Sequence, residues 1–447
     1  MLSVSALPRT VESPSGLGRF HIVVGSDPDS RWERAGRTLF VLLLLTGLPI
    51  TLYRATHRGN LDLRGFCAAG QYVIEHGARN PASVLSRYWP SADVPWMLLS
   101  QLPIAVAACL WYVLGCMTWI GLLGSIERTM LADVEPVRRR RILLAAGLLA
   151  MPLAIDGLCL GTFHVLMVWL MIEGLDRACR GRTGSGGLLL GLAAWLKLLP
   201  LLGIAFLLLQ RKTKAALIAI LVAVGLDVVL SLAAFGPASA WQEHVIWWDH
   251  GATGTTIRQL TSPWHEDEDR LTNQSVAITL RRLFSTLGSV PGSPRQHLTM
   301  ARLSGEQLEA LFTAVTAVVV CAVVAFCWPA RRGRSSDRTP AQIAMAILAT
   351  LWLSPVMWSY HVTAATPALA LVLKRTWGQR RGRVAAIVWL ACLCLLAIPI
   401  VRAAGVLLWL SVATGIMLAM TKDQMFNVQC PMFNEVAGPS SSLNIEP

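Results

Sequence analysis

Five ionisable residues, Asp156, His164, Lys197, Asp227 and His361, stand inside or against long apolar stretches of this 447-residue chain. In a membrane span each costs about 2.5–3.5 kcal/mol on insertion scales, so each needs a partner or a task. Lys197 lies in Leu196-Lys197-Leu198-Leu199-Pro200, where a broken helix would bring unwound backbone and a cation to an anion such as a lipid phosphate. Snorkelling to an interface is the plainer alternative, disfavoured by the central place of Lys197 in its run. His361 closes Ser354-Pro355-Val356-Met357-Trp358-Ser359-Tyr360-His361. An imidazole there can donate to a phosphate or sugar oxygen, and Trp358 or Tyr360 can stack on a sugar ring. A hydrogen-bonded turn histidine and an interfacial aromatic belt account for the same residues equally well.

Asp62 opens a different pattern: Leu63, Phe66, Gly70 and Val73 recur at helical spacing while Arg64, Gln71 and Glu75 face elsewhere. The spacing predicts an amphipathic helix lying on a membrane surface. Its first carboxylate is either held at the membrane surface in the basic neighbourhood of Arg58, Arg64 and Arg87 for a functional task, or is simply a charge that complements the helix dipole. The run WHEDED at 264–269 offers Asp267 and Asp269, with His265, to a hard cation, but a solvated loop explains it more simply. Asn273-Gln274-Ser275 reads as a sequon or as ordinary loop. Phosphate-cradling, dinucleotide, nucleophile-elbow and zinc spacings are absent from the sequence, which argues against nucleotide-driven pumping.

The elements that position these residues follow from composition. Hydrophobic residues make up 54% and charged residues only 15%, where a soluble chain carries about 25% charge; mean hydropathy is +0.53. The chain is therefore a polytopic membrane protein. The net charge of +13 sits in clusters between apolar runs, so topology explains it and nucleic acid is not an expected partner. Most of the ten cysteines lie in or beside apolar runs, and no disulfide is needed.

About twelve all-α spans are expected, near 38–54, 98–124, 142–158, 160–175, 186–197 with 199–209, 215–235, 306–328, 340–357, 360–373, 384–401 and 404–421. Residues 1–37 precede the first, which reads as an uncleaved signal-anchor. Arg31, Arg34 and Arg37, Arg138 to Arg141, Arg331, Arg332, Arg334 and Arg338, and Lys374 to Arg383 all fall on one side if both termini are cytoplasmic. Two long segments, 54–95 and 237–305, then lie outside; rich in Trp, Tyr, Gly and Pro, they read as folded loops where chemistry is expected. Basic clusters flank both ends of 186–209, so that stretch is expected to be a broken hairpin entering and leaving on one side. Residues 422–447 read as a disordered tail.

With these pieces placed, the chain resembles the polyprenol-phosphate-sugar-dependent enzymes of glycosyltransferase family 87, which include mycobacterial mannosyl- and arabinofuranosyltransferases of GT-C membrane fold. The likeness runs from about Val41 to Leu373. It rests on Asp62 and its helix through Gly77, the Tyr88-Trp89-Pro90 turn, the block Gly187-Leu188-Leu189-Leu190-Gly191-Leu192-Ala193-Ala194-Trp195-Leu196-Lys197-Leu198-Leu199-Pro200, Asn273-Gln274-Ser275, and Ser354-Pro355 leading to Trp358 and His361. Where many members carry Gly-Gln-x-Asn, this chain has Gly161-Thr162-Phe163-His164, a departure at the donor head group.

The resemblance implies an inverting transferase of the plasma membrane, with Asp62 as base. A polyprenyl-phosphate sugar would be the donor, and a cell-envelope glycan or glycolipid the acceptor, met on the extracytoplasmic face. Lys197, His361, Tyr360, Trp358, His164 and Arg64 are the expected donor contacts, and Tyr88, Trp89, Asn273 and Gln274 the acceptor-loop candidates. No metal or other cofactor is expected. A transporter of lipid-linked sugars, which also uses broken helices and midplane charge, and a non-catalytic envelope scaffold are the competing readings.

Overall fold

A computed structural model of the chain describes residues 31–57, 62–80, 88–248, 273–284, 300–329, 338–354, 356–395 and 405–423. Among the described residues every regular element is helical. In chain order they are α1 (Arg31–His57), α2 (Asp62–His76), a 3-10 turn (Pro90–Asp93), α3 (Val94–Ser100), α4 (Ile104–Met130), α5 (Pro136–Leu160), α6 (His164–Cys179), α7 (Thr183–Leu196), α8 (Leu201–Leu209), α9 (Thr213–Phe235) and α10 (Pro237–Ile246). After these come α11 (Val276–Phe284), α12 (Gly305–Cys327), α13 (Arg338–Trp352), a second 3-10 turn (Ser359–Ala365), α14 (Thr366–Thr376), α15 (Arg380–Leu395) and α16 (Val406–Asp423). The WHEDED run, Arg58, Arg87 and most of the two terminal segments lie outside the described residues.

Among the described residues five helices, α1, α4, α5, α9 and α12, are long and apolar enough to cross a bilayer, and α7, α13 and α16 are shorter apolar helices. Side chains of α14 are almost wholly buried, and with α4, α5, α6 and α13 they form the main core around Trp119 and Trp389. In contrast α1 and α12 keep only 11% of their apolar window buried, as expected of helices whose outer faces meet lipid.

Three expected spans differ from the helices observed. The run 98–124 is not continuous: α3 stops at Ser100, and Pro103 starts α4 afresh, carrying it on to Met130. The runs 340–357 and 360–373 are separated by more than a loop. Helix α13 ends at Trp352, the chain around Met357 is drawn out to bond Asn273 and Gln274, and residues 359–365 form a 3-10 turn before α14.

The basic punctuation gathers at one end of the bundle. Arg141 pairs with Glu33, Arg138 Nη2 donates to the Lys374 carbonyl at 2.7 Å, and Arg180 Nη2 reaches the Arg128 carbonyl at 3.4 Å. The same end begins α5 with Glu135, whose carboxylate accepts the backbone N–H groups of Val137 and Arg138, each at 2.8 Å. Those bonds hold its carboxyl below the usual range. Asp62, Asp156 and His361 belong to the opposite end, where α1 and α5 finish and α2, α6 and the second 3-10 turn begin.

Candidate active site

Asp62 is the first residue of α2 and is fixed from two directions. Leu63 beside it is fully buried against Gly161, which closes α5 with φ +78°; a Cβ at Gly161 would come within 2.6 Å of the Leu63 Cβ. Only a glycine permits both that backbone and that approach. On the other side Arg64 Nη2 donates to the Ala55 carbonyl of the last turn of α1 at 2.5 Å. Phe66 stacks on Trp96 at 4.7 Å and meets Phe163 at 5.7 Å, completing the buried face that the helical spacing foretold.

Lys197 sits at the break between α7 and α8 in extended backbone, φ −156° and ψ 145°. The halves lie side by side: Leu190 of α7 stands against Gly203 of α8, although thirteen residues of unbroken helix would separate them by about 20 Å. Gly187 and Gly191 let α7 press onto α9, since a Cβ on either would fall 2.7 and 2.6 Å from the carbonyls of Ala215 and Ala219. The end of α7 is tied to the 89–91 segment between α2 and α3 by two indoles. Trp89 Nε1 donates to the Ala194 carbonyl and Trp195 Nε1 to Ser91 Oγ, both at 2.8 Å.

His361 lies in the second 3-10 turn, 2% exposed. Its Nδ1 accepts the Trp358 N–H at 3.0 Å, which leaves the ring proton on Nε2. That Nε2 is 3.0 Å from Lys197 Nζ. With Lys197 in its ammonium form both groups donate, so the arrangement calls for an acceptor oxygen alongside them, an anionic one being strongest. His164, the first residue of α6, donates from Nε2 to the His361 carbonyl at 2.9 Å, and the two rings lie 4.6 Å apart.

Tyr360 joins the two halves of the cluster. Its hydroxyl is 3.5 Å from Asp62 Oδ2, while Lys197 Nζ lies 5.9 Å from the centre of the Tyr88 ring and within electrostatic range of Asp62. Thus Asp62, Tyr88, His164, Lys197, Tyr360 and His361 come together from five separate stretches of chain.

The remaining expected site residues support this group from outside it. Arg64 caps α1, Trp89 holds α7, and Trp358 contributes its backbone N–H. Asn273, 1% exposed, uses Oδ1 to accept the N–H groups of Met357 and Ser275 at 3.0 and 3.1 Å, and Gln274 N–H donates to the Met357 carbonyl at 2.6 Å. These two residues brace the chain leading into His361, and the burial of Asn273 removes the sequon reading.

Sequence reasoning gave no role to a further set of residues. Asp156 accepts from Ser359 Oγ and lies 3.8 Å from Arg54 Nη1, so it anchors the 3-10 turn to α5 and α1. Asp156 was recognisable as a charge near an apolar run; Arg54 was hidden because it reads as the edge of a loop. Between α2 and α3 Arg79 Nε donates to Asp93 Oδ2 at 3.0 Å, with Asp93 fully buried. Burial pushes the Asp93 carboxyl up against the opposing pull of the Arg79 charge.

A helical membrane bundle that gathers a carboxylate, a lysine and paired histidines at one end has the make-up of an integral membrane enzyme. The chain matches the sequence profile of Glycosyltransferase family 87 over residues 88–356, more than half its length, and it belongs to that family of glycosyltransferases. It is similar to the polyprenol-phosphate-mannose-dependent alpha-(1-2)-phosphatidylinositol mannoside mannosyltransferase of Mycolicibacterium smegmatis, at 30% identity over 369 residues, covering 78% of this chain and 73% of that protein. A protein of the same description from Mycobacterium tuberculosis is 28% identical over 361 residues, covering 74% and 71%. The matched profile starts at Tyr88 and so takes in Lys197 but neither Asp62 nor His361.

Proposed function

We propose that the protein transfers a sugar, mannose or another hexose or pentose, from a polyprenyl-phosphate donor to a glycolipid or glycan of the cell envelope, with inversion and without a metal. The observation that carries this reading is one cluster holding a carboxylate, Asp62, bonded by the Tyr360 hydroxyl, and a two-donor contact, Lys197 and His361, beside the Tyr360 ring. A glycosyl phosphate needs those two things. Asp62 takes the proton of the acceptor hydroxyl as its oxygen bonds to the anomeric carbon. The bond from that carbon to the phosphate oxygen breaks, its electron pair leaves with the phosphate, and Lys197 and His361 Nε2–H stabilise the charge.

The same reading gives the bundle a GT-C-type arrangement of about twelve spans in the plasma membrane, both termini cytoplasmic, with the Asp62 end outside. There, nucleotide sugars are lacking and a lipid-tethered donor is the sensible source. The relatives are described as using polyprenol-phosphate-mannose and a phosphatidylinositol mannoside, which makes mannose and a mannosylated phospholipid the first substrates to offer. The test is transfer by the purified protein in lipid nanodiscs from synthetic polyprenyl-phosphate sugars, offered singly, with and without EDTA. Product that survives EDTA is expected; no product from any lipid-phosphate sugar, or product only with added metal, would contradict the reading.

A further inference from the structure

Asp227 is 1% exposed in the middle of α9, one of the five long apolar helices, and the transfer chemistry gives it no task. Its two oxygens are both used. Oδ1 accepts the backbone N–H of Ser91 at 3.0 Å, and Oδ2 faces His244 Nε2 of α10 at 2.7 Å. The other nitrogen of His244 lies 2.7 Å from the Ala240 carbonyl, one turn back in the same helix. Bracketed by an acceptor at each nitrogen, the ring is locked between α10 and the carboxylate.

The segment held by this pair leads to Lys197. Trp89, two residues before Ser91, stacks on Trp247 at 5.0 Å, so α9 and α10 grip the 89–91 turn from two sides. That turn in turn grips the end of α7 through Trp89 Nε1 on the Ala194 carbonyl and Ser91 Oγ under Trp195 Nε1. Ala194 and Trp195 are three and two residues before Lys197, whose backbone has already left the helix. A break of that kind has few internal bonds of its own to set its direction, so the groups clamping the last helical turn set it.

We propose that Asp227, held by His244, is a positioning residue for the donor-phosphate contact: it fixes the 89–91 turn, which fixes the end of α7 and aims Lys197 Nζ at His361. The inference rests on Lys197 binding the donor phosphate, as proposed above. It explains why a buried carboxylate is kept in an apolar helix, where a leucine would serve packing alone.

The experiment compares wild type with Asp227→Asn, His244→Gln, Lys197→Ala and the Asp227→Asn/Lys197→Ala double variant, all in nanodiscs, reading donor KM, acceptor KM, kcat and thermal midpoint. Asp227→Asn is expected to raise donor KM about ten-fold, leaving acceptor KM within about two-fold of wild type. His244→Gln, which keeps one donor, moves donor KM the same way by less. In the double variant donor KM stays at the Lys197→Ala value, because there is no ammonium left to aim. A fall in thermal midpoint with donor KM unchanged would make Asp227 a packing brace only and overturn the inference, as would effects that multiply in full in the double variant. If Lys197→Ala alone leaves donor KM unchanged, the phosphate reading itself fails, and this inference fails with it.

Discussion

Lys197 Nζ stands 3.0 Å from Nε2 of His361, a residue 164 positions further along the chain. The distance has meaning because Trp358 occupies the other imidazole nitrogen, so the side facing the lysine carries a proton. Two donors converge there, and the Tyr360 ring, 4.6 Å from that of His361, carries a hydroxyl 3.5 Å from Asp62 Oδ2.

Lys197→Met keeps an unbranched apolar side chain, one atom shorter, and removes the charge. Donor KM should rise about ten- to a hundred-fold, the worth of a charge-assisted contact, and Lys197→Arg should recover part of the loss. Steady-state transfer with one donor and a saturating acceptor decides it; a Met variant with wild-type donor KM would detach the lysine from the phosphate.

Tyr360→Phe removes a hydroxyl that is 3.5 Å from Asp62 Oδ2 and leaves the ring in place. The expected effect is on kcat, a fall of about ten-fold, with both KM values near wild type, since the partner of the hydroxyl is the Asp62 carboxylate. An effect confined to donor KM would assign Tyr360 to donor binding.

Gly161→Ala sets a Cβ against Leu63 in a left-handed backbone. The strain costs about 1–3 kcal/mol, and relief requires Leu63, and with it Asp62, to shift. Both the thermal midpoint and kcat should drop, whereas alanine at Gly184, in helix α7 where nothing lies within 4 Å of the added carbon, should lower neither.

The Glu135 cap of α5 gives stability a defined pH dependence. Its carboxyl is held low by the Val137 and Arg138 N–H groups, so the cap's contribution is complete above the ordinary glutamate value of about 4.3 and is lost as pH falls through the lower folded value. Glu135→Ala should melt below wild type at neutral pH, and the two should converge in acid. A gap that persists in acid would mean that the carboxylate is not the source of the difference.

Much of this site was legible in the sequence because membranes make charge conspicuous. Asp62 was visible from the amphipathic repeat of Leu63, Phe66, Gly70 and Val73, and Lys197 from its place in an apolar run before Pro200; both patterns are local. The break at Lys197 and the hairpin of α7 and α8 followed from basic residues at both ends of one stretch. What stayed hidden were contacts between distant segments. Nothing local to Asn273 shows that its carboxamide holds Met357, 84 residues away, or that Trp89 is spent on Ala194. Local sequence therefore shows Trp89 and Asn273 only as loop residues, and not that the Trp89 indole and the Asn273 carboxamide bond to backbone. The span limits at 98–124 and 340–357 failed for a related reason: hydropathy registers apolar length, and is blind to a proline restart or to backbone pulled straight by a partner.

The most direct test concerns Asp62. Wild type and Asp62→Asn would be compared in nanodiscs with polyprenyl-phosphate mannose and a mannosylated phospholipid acceptor, measuring transfer together with equilibrium binding of the donor. The asparagine variant should bind donor as wild type does and lose transfer by about a hundred-fold or more, the usual worth of a general base. Transfer at the wild-type rate by Asp62→Asn would contradict the account at its centre.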